Sequence, residues 1–460
     1  MGLKQIGGVV AGLSVGAALV ACGPNANQPS SGTSAHNQFS KSVSGQLKIY
    51  GFNPSDEVGK SRSDYTAAQL RGVKITQDTS SFDTQKFAAQ AAAGQVPGLI
   101  YADRTEIATL ADKKLIMPLD QCYATWGVTP TQRFYPSVIK DVSYRGQIYG
   151  VPEFFQAEAI IADKRVLQKS GVTLAQLDTS KPDQLLTAAK KMTAVSGGKP
   201  TRIGFVPDMP GSAAIWLAVF GGGTVDQLGR PTLNEPQNVK ALTWLKQLSD
   251  AQGGYAKDKS LLDSMDVFGA KNQYVKDQVG AQVWAQWYVN VLSDYSKDVD
   301  IAAVPIKTLD GKTLAMAGGS AYAIPTKSPN PSAACKWAIE LTSPTAWQKA
   351  GQARQQTVAK AHSINTGLFT GSPVADQANR SQYVKSSGNA DFDQVIDTYY
   401  KILPDNRPMG SSAVGQSVSD NLNNAVIVAL SGSKSPQQAL DDAQAAALRA
   451  WGQSSAGKNG

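Results

Sequence analysis

Short apolar runs alternate with amphipathic stretches from residue 46 onwards. Gln46–Gly51, Gly72–Asp78 and Gly98–Ala102 have the composition and spacing of strands. Between the last two, Asp83–Ala93 carries apolar residues at helical spacing, and it starts with an aspartate and stops before Gly94. This alternation of strands and helices predicts an α/β fold built on a mainly parallel sheet.

The remainder of the chain continues in the same way, without an internal repeat of fixed period. We predict strands at Ala157–Ala162 and Asp300–Val304, and hairpins in Ser143–Pro152, turning at Arg145-Gly146, and at Leu309–Lys312. We predict further helices at Thr105–Lys113, Lys181–Val195, Asn238–Ala251, Ala333–Leu341, Asp391–Ile402, Ser417–Leu430 and Pro436–Ala450.

The first forty-five residues have a different pattern. Lys4 precedes an apolar run at Ile6–Val20, which has the length of a signal-peptide core but is too short to cross a bilayer as a helix. It ends in Leu-Val-Ala-Cys22, which resembles the cleavage signal of bacterial lipoproteins. The resemblance implies removal of residues 1–21, lipid attachment at Cys22 and a flexible tether at 22–45, roughly 25 Å long on average. The alternative is an ordinary signal peptide with an incidental cysteine.

Composition narrows the chemistry. The 460 residues carry a formal charge of +8, but Lys and Arg are scattered rather than aligned in a stripe, so nucleic acid is not expected as a partner. With two histidines and three cysteines, neither a metal site nor a cofactor is expected. Cys122 and Cys335 could form a disulfide in an oxidising compartment or remain buried thiols. Without a phosphate-binding loop, the chain is not expected to hydrolyse ATP.

Several longer stretches, in this order along the chain, resemble one family. They read "FDTQKFAAQAAAGQVPGLIYAD", "LADKKLIMPLD", "GQIYGVPEFFQAEAIIADK", "GAQVWAQW", "AGGSAYAIPTKSPNPSAACKWAIEL" and "ALSGSKSPQQALDDAQ". They are similar to segments of the extracellular solute-binding proteins of family 1, the sugar-binding lipoproteins of ABC importers.

The resemblance implies a two-lobe periplasmic-binding-protein-like fold of type II with three interlobe crossings. We expect the crossings near Glu153–Ala157, Val304–Ile306 and Arg354–Val358. The amino-terminal lobe would then comprise residues 46–155 plus 306–357, and the carboxyl-terminal lobe residues 156–305 plus 358–460. Ligands of such folds bind between the lobes, and hinge closure is the usual response.

Sugars are held by aromatic faces against their C–H side and by polar side chains on their hydroxyls. Trp287 matches the family's ligand tryptophan, although a tryptophan in the core is the alternative. Trp284, three residues earlier, could lie on the same cleft wall. Gln156 occupies a family ligand position at the first crossing, whereas the flanking phenylalanines could simply pack at the hinge.

Other candidates follow from their place at strand ends, where ligands of α/β folds gather. Asp78, Asp103 and Arg104 follow the second and third strands, but the aspartates could equally cap helices or turns and Arg104 could be solvated. Phe52 and Asn53 follow the first strand and could form an ordinary turn. The remaining candidates are Gly319 and Ser320, whose backbone could approach a ligand or form a bulge, and Arg407, where the family often places a last contact.

These observations predict a non-enzymatic, monomeric binding protein that is anchored by lipid on the extracytoplasmic face of the cell membrane. It would pass a carbohydrate to ABC permease subunits served by a separate ATPase chain. Two alternatives stay open. The same fold could bind a non-sugar solute. Less favoured is a lipid-anchored glycoside hydrolase, which needs two carboxylates roughly 5–10 Å apart, and Asp78 with Asp103 would be the candidates.

Overall fold

A computed structural model of the protein describes residues 39–208 and 212–458. The predicted signal segment, the lipidated Cys22 and most of the tether lie outside these residues.

Within the described ranges, the strands are β1 Gly45–Tyr50, β2 Val73–Asp78, β3 Leu99–Asp103, β4 Ser143–Tyr144, β5 Gln147–Ile148, β6 Val151–Pro152, β7 Glu158–Asp163, β8 Ala194–Ser196, β9 Lys199–Val206, β10 Val279–Ala285, β11 Ile301–Val304, β12 Ala315–Met316, β13 Ser320–Ala323 and β14 Asn406–Arg407. The helices are α1 Glu57–Gln69, α2 Thr84–Ala92, α3 Arg104–Asp112, α4 Asp120–Thr125, α5 Pro130–Arg133, α6 Pro136–Asp141, α7 Lys164–Ser170, α8 Pro182–Met192, α9 Ala213–Val219, α10 Pro236–Gln252, α11 Tyr255–Asp263, α12 Trp287–Ser293, α13 Pro331–Leu341, α14 Pro344–Ala361, α15 Pro373–Tyr383, α16 Ala390–Ile402, α17 Gly415–Leu430, α18 Pro436–Gln453 and α19 Ser455–Lys458, with short 3-10 turns at Leu174–Leu177 and Leu403–Asp405.

The first sheet has the strand order β2-β1-β3-β13-β6. β1 runs parallel to β2 and β3, and β13 runs antiparallel to β3 and β6. Because α1 connects β1 to β2 and α2 connects β2 to β3, the predicted βαβ alternation is confirmed. The carboxyl ends of the three parallel strands therefore lie at one edge of the sheet.

The second sheet has the order β11-β7-β10-β9-β8, with β10 parallel to β9 and antiparallel to β7. Successive residues of β7 face opposite sides of it: Ile160 packs in one core cluster and Ile161 in another. Helices cover both faces, so the four residues between Glu158 and Asp163 are all apolar and buried. We call the first sheet with its helices the first lobe and the second sheet with its helices the second lobe. The predicted two-lobe α/β fold is confirmed.

A disulfide joins Cys122 of α4 to Cys335 of α13, with the two Cα atoms 5.8 Å apart. Both residues are fully buried in the core of the first lobe. Of the two alternatives that the sequence leaves open for these cysteines, the structure therefore has the bonded pair.

The chain passes from the first sheet to the second through Glu153–Ala157, as expected. It returns at Ala317–Gly319 rather than at Val304–Ile306, because residues 307–313 first fold back as a hairpin whose flanking residue Ile306 packs in the second lobe. Arg354–Val358, expected as a crossing, lies inside helix α14, which packs against α1 of the first lobe.

Candidate functional site

A cavity of about 540 Å³ lies between the lobes. The first lobe contributes the residues that follow β1, the middle of β3 and the end of β6, and the second lobe contributes the start of α12. Helix α14 and the chain after it close one side. The polar, charged and aromatic side chains of the lining include those of Phe52, Asn53, Asp56, Arg62, Tyr101, Glu153, Gln286, Trp287, Asn290, Trp347 and Arg354.

Trp287 lines this cavity and is half-buried; it is the first residue of α12, one residue beyond the end of β10. Its indole meets the ring of Trp284 edge-on at 5.7 Å and lies nearly parallel to Phe268, with centroids 6.2 Å apart. Trp284 in turn stacks on Tyr288 at 3.9 Å. Neighbouring rings thus fix the orientation of the Trp287 indole before any ligand arrives.

Trp284 does not share the cavity with Trp287. It lines a different cavity, inside the second lobe. The two indoles meet at an interplanar angle of 77°, and each lines a cavity of its own. The structure therefore brings one of the two predicted tryptophans to the interlobe cavity.

Phe52 and Asn53 both line the interlobe cavity. Phe52 is buried and packs edge-on against Tyr101 and Tyr322, at 5.4 and 5.6 Å. Asn53 is exposed, and its side-chain oxygen accepts a hydrogen bond from the backbone N–H of Ser55 at 3.1 Å. The turn that was the alternative reading is present, and it places Asn53 at the cavity.

A buried ion pair borders the cavity. Arg62 Nη2 lies 2.5 Å from Glu153 Oε1, and both side chains are 4% exposed. Tyr101 donates its hydroxyl proton to the other carboxylate oxygen at 2.5 Å, and burial together with this carboxylate raises the pKa of Tyr101. The guanidinium also lies 3.8 Å from the ring centroid of Trp347. These groups hold the first passage between lobes, since Glu153 begins it.

Arg354 connects the two sides of the cavity. Its guanidinium pairs with Glu57 of α1 and donates from Nη1 to Asn290 Oδ1 of α12 at 3.0 Å. α1 belongs to the first lobe and α12 to the second. The contact between Arg354 and Asn290 therefore links the lobes at the edge of the candidate site.

Arg104 is buried rather than solvated, with 1% of its surface exposed. Its guanidinium donates to the backbone carbonyls of Phe154, Ala317 and Gly318, which belong to the two passages between the sheets. Burial lowers its pKa, while neighbouring carboxylates oppose that shift. In this structure Arg104 ties the two interlobe passages together.

Gly319 lies beside that guanidinium with φ +141°. A Cβ atom here would come within 2.1 Å of the Phe154 carbonyl oxygen, so only glycine allows this approach. Ser320 follows at the start of β13, paired with Asp103, and its carbonyl accepts from the Glu153 N–H at 3.1 Å. The close approach at Gly319 is between parts of the protein itself.

Asp103 and Asp78 both act in local turns. Asp103 caps α3 by accepting from the N–H and hydroxyl of Thr105, at 2.8 and 2.7 Å. Asp78 accepts from the N–H and hydroxyl of Ser80, and these bonds lower its pKa. Neither residue lines the interlobe cavity described above.

Gln156 bridges the two passages through its backbone, donating its N–H to the Gly318 carbonyl at 2.8 Å. Arg407 lies elsewhere, on an exposed groove of about 1130 Å³ that also includes Trp451. That groove shares no lining residue with the cavity of Trp287. The structure therefore separates Arg407 from Trp287, Phe52 and Asn53.

Gln286, Arg62, Glu153 and Arg354 are site residues that the sequence did not single out. Gln286 is 4% exposed, accepts from the Ala157 N–H at 2.9 Å and donates to the Phe155 carbonyl at 2.9 Å. Its position directly before Trp287 is the sequence feature that could have identified Gln286 as a site residue. No such feature exists for Arg62 and Arg354, because their partners are distant along the chain.

Two carboxyl groups lie near the same edge of the second sheet. Glu158 opens β7, opposite Ala285 of β10, and burial next to Asp208 raises its pKa to about 7. Burial also raises the pKa of Asp208, whose carboxylate accepts from the Ser212 hydroxyl at 2.9 Å. Within 39–208 and 212–458, no group of three metal-ligating side chains is found.

A family model of bacterial extracellular solute-binding proteins matches residues 61–380. The chain belongs to this family. The resemblance predicted from the sequence motifs is thereby confirmed, and this solute-binding protein is placed outside the cytoplasm. Across the described residues, no helix has the length and apolar character needed to cross a membrane. A comparison with curated proteins found no match.

Solved structures share the fold of this solute-binding protein. CpMnBP1 with mannobiose bound is 22% identical with a TM-score of 0.69, covering 88% of this chain and all of the other. The ABC substrate-binding protein Lmo0181 from Listeria monocytogenes, in complex with cycloalternan, is 17% identical with a TM-score of 0.67, covering 89% and 100%. The maltose/maltodextrin-binding domain MalE from Bdellovibrio bacteriovorus, bound to maltotriose, is 17% identical with a TM-score of 0.63, covering 88% and 99%.

The cavity of this solute-binding protein has two indoles, the half-buried Trp287 and the buried Trp347 beneath Arg62, and several hydrogen-bonding groups. Its two arginines are already paired. Arg62 is neutralised by Glu153, and Arg354 by Glu57. Such a site favours a guest that has a flat apolar face and many hydroxyls over a guest that carries a net charge.

Proposed function

We propose that this protein is the carbohydrate-binding subunit of an ABC importer, which captures an oligosaccharide between its lobes and delivers it to a membrane permease. The observation that supports this most is the Trp287 indole, held by neighbouring rings at an interlobe cavity where Arg62, Glu153 and Arg354 are each paired with an opposite charge. The saccharides in the three solved structures above are the reason for choosing an oligosaccharide.

The energetics are adequate for micromolar binding. Covering one aromatic face removes on the order of 100–200 Å² from water, which contributes roughly 3–4 kcal/mol at best. Each hydrogen bond adds about 1 kcal/mol net. A micromolar ligand needs about 8 kcal/mol after the cost of ordering. Stacking on Trp287 would then supply much of the affinity, and Asn53 and Asn290 would help to choose the sugar.

We propose that no reaction is catalysed on the guest. Of the carboxylates considered for a hydrolase, Asp78 and Asp103 each serve a local turn, which supports binding rather than turnover. Incubation with oligosaccharides followed by chromatography tests this, and any cleavage product would refute it.

The anchor belongs to the same proposal. Lipid at Cys22, followed by the polar tether, would keep the binding lobes beside the permease on the extracytoplasmic face of the cell membrane. Membrane fractionation with mass spectrometry of the amino-terminal peptide tests it. Cys22→Ala should release the protein from the membrane while leaving carbohydrate binding intact.

A thermal-shift screen against mono- and oligosaccharides tests the binding function. A true ligand at 100 times its Kd should add about 2.7 kcal/mol of stability. Trp287→Ala should abolish most of that gain. Trp451→Ala is the matched control, because Trp451 lines the groove of Arg407 instead, and it should retain the gain. The reverse result would move the site to that groove, and no response to any saccharide would refute the proposal.

A further inference from the structure

Phe268 presents an exposed ring beside the interlobe cavity, in the stretch between α11 and β10. Its exposed fraction is 66%, whereas every other phenylalanine, tyrosine and tryptophan within 39–208 and 212–458 is buried or half-buried. A single exposed apolar side chain is common on protein surfaces and needs no explanation of its own. Phe268 differs from such a residue because its ring lies nearly parallel to the indole of Trp287.

The two rings lead from the cavity wall towards solvent. Their planes are 19° from parallel and their centroids are 6.2 Å apart. Trp284 and Tyr288, which overlap closely, have centroids only 3.9 Å apart. The larger separation means that neither ring of the first pair covers the whole face of the other, so each keeps an apolar surface for a further contact. Trp287 lines the cavity and Phe268 does not, so Phe268 continues the aromatic surface beyond it.

Helix α12, which begins with Trp287, also holds the backbone around Phe268. Tyr288 of this helix donates its hydroxyl proton to the Val267 carbonyl at 2.8 Å. Tyr295, just beyond the end of the helix, donates its hydroxyl proton to the Phe268 carbonyl at 3.4 Å. The same segment therefore positions both rings before a guest arrives, and such preorganisation lowers the cost of ordering on binding.

A sugar chain suits two consecutive aromatic rings. The C–H face of a pyranose packs on an aromatic ring, and adjacent sugars of a chain follow one another at a spacing comparable to that between these two centroids. With one sugar on Trp287, the next sugar towards solvent would reach Phe268. A phenyl ring has no hydrogen-bonding group, so a contact with Phe268 would reward the length of the chain rather than the identity of its hydroxyls.

We propose that Phe268 is an outer stacking position of the carbohydrate site, which contacts a sugar ring that projects from the interlobe cavity. The substrate class is then a linear oligosaccharide long enough to pass from Trp287 to Phe268, in preference to a monosaccharide. The inference rests on the proposed carbohydrate function and adds a selection for chain length to it.

Calorimetry of the mature protein with the manno- and malto-oligosaccharide series, from one to five rings, tests this position. Phe268→Leu keeps an apolar side chain but removes the flat face, so it should weaken the longest bound member about tenfold and the shortest less than twofold. Phe268→Tyr restores the flat ring and should recover most of the affinity. Leu228→Ala is the matched control, because Leu228 is 84% exposed in the groove of Arg407, and it should leave every affinity within twofold.

The dependence on length separates stacking on Phe268 from a purely structural role. Equal losses at every length would mean that Phe268 only orients Trp287, and unchanged affinities in Phe268→Leu would mean that it contacts no sugar; either result overturns the inference. A co-crystal with the longest bound member needs no variant, and the absence of a sugar ring in contact with Phe268 would likewise overturn it. If the wild-type protein binds no saccharide, the proposed function fails as well, whereas saccharide binding without this dependence on length refutes the present inference alone.

Discussion

The Arg62–Glu153 pair should be strongly coupled, and a double-mutant cycle measures the coupling. Glu153→Gln keeps an acceptor for the Tyr101 hydroxyl but leaves the Arg62 charge without a counterion where the side chain is 4% exposed. Breaking such a buried pair from one side costs about 3–5 kcal/mol of unfolding free energy. Arg62→Met should cost a similar amount, because it strands the Glu153 carboxylate and removes the guanidinium from the Trp347 ring.

The double variant removes both charges, so its loss should be smaller than the sum of the single losses by about 2–3 kcal/mol. Urea denaturation of the four proteins, followed by far-UV circular dichroism, measures the free energies. The exposed Lys259–Asp263 pair serves as the control cycle and should show a coupling of at most about 0.5 kcal/mol. Additive losses at Arg62 and Glu153, or single losses no larger than those of the control, would refute the reasoning.

Three further predictions concern the interlobe passages, the disulfide and one buried acid. Gly319→Ala should lower the free energy of unfolding by about 2–4 kcal/mol in urea denaturation, since its Cβ would meet a carbonyl oxygen at 2.1 Å. Gly452→Ala, on open helix surface, is the control and should raise that free energy by about 0.5–1 kcal/mol. Equal effects of the two substitutions would contradict the steric account. The Cys122–Cys335 bond joins residues 213 apart in sequence, and reducing it should lower the free energy of unfolding by about 2–5 kcal/mol. In the control protein with Cys122→Ala and Cys335→Ala, the reductant should leave that free energy unchanged. Burial raises the pKa of Asp376 to about 7, above its unfolded value, so the folded state keeps the proton to a higher pH than the unfolded state does. The free energy of unfolding should therefore fall as pH rises from about 4 to about 7. Asp376→Asn should flatten that slope, and an unchanged slope would contradict the assignment.

Helix α1 shows why one element could not be predicted. Its buried positions include Gly59, Arg62 and Thr66 as well as Val58. Its inward face is therefore largely polar, and the periodicity that identifies an amphipathic helix is missing. By contrast, Asp83 and the apolar residues of α2 gave a clear signal, and the predicted helix agrees with the observed one to within a residue at each end.

Some residues of the candidate site were predictable from the sequence. Phe52 and Asn53 were predicted from their place after the first strand, whereas Trp287 was predicted from the family resemblance. All three line the interlobe cavity. Arg354 was not predictable, because its role depends on Glu57, 297 residues away, and on Asn290. Arg104 followed the same strand-end rule but lies buried against backbone carbonyls, a choice that only the packed structure decides.

The strand order of the two sheets also determines when each can be completed. β7 to β11 follow one another between Glu158 and Val304, so the second sheet can assemble from one continuous stretch of chain. The first sheet has β13 inserted between β3 and β6, and it stays unfinished until Ala323 is available. When the chain emerges amino end first, the half that begins earlier is thus the later to mature, and its exposed β3 edge must be kept from wrong pairing in the meantime.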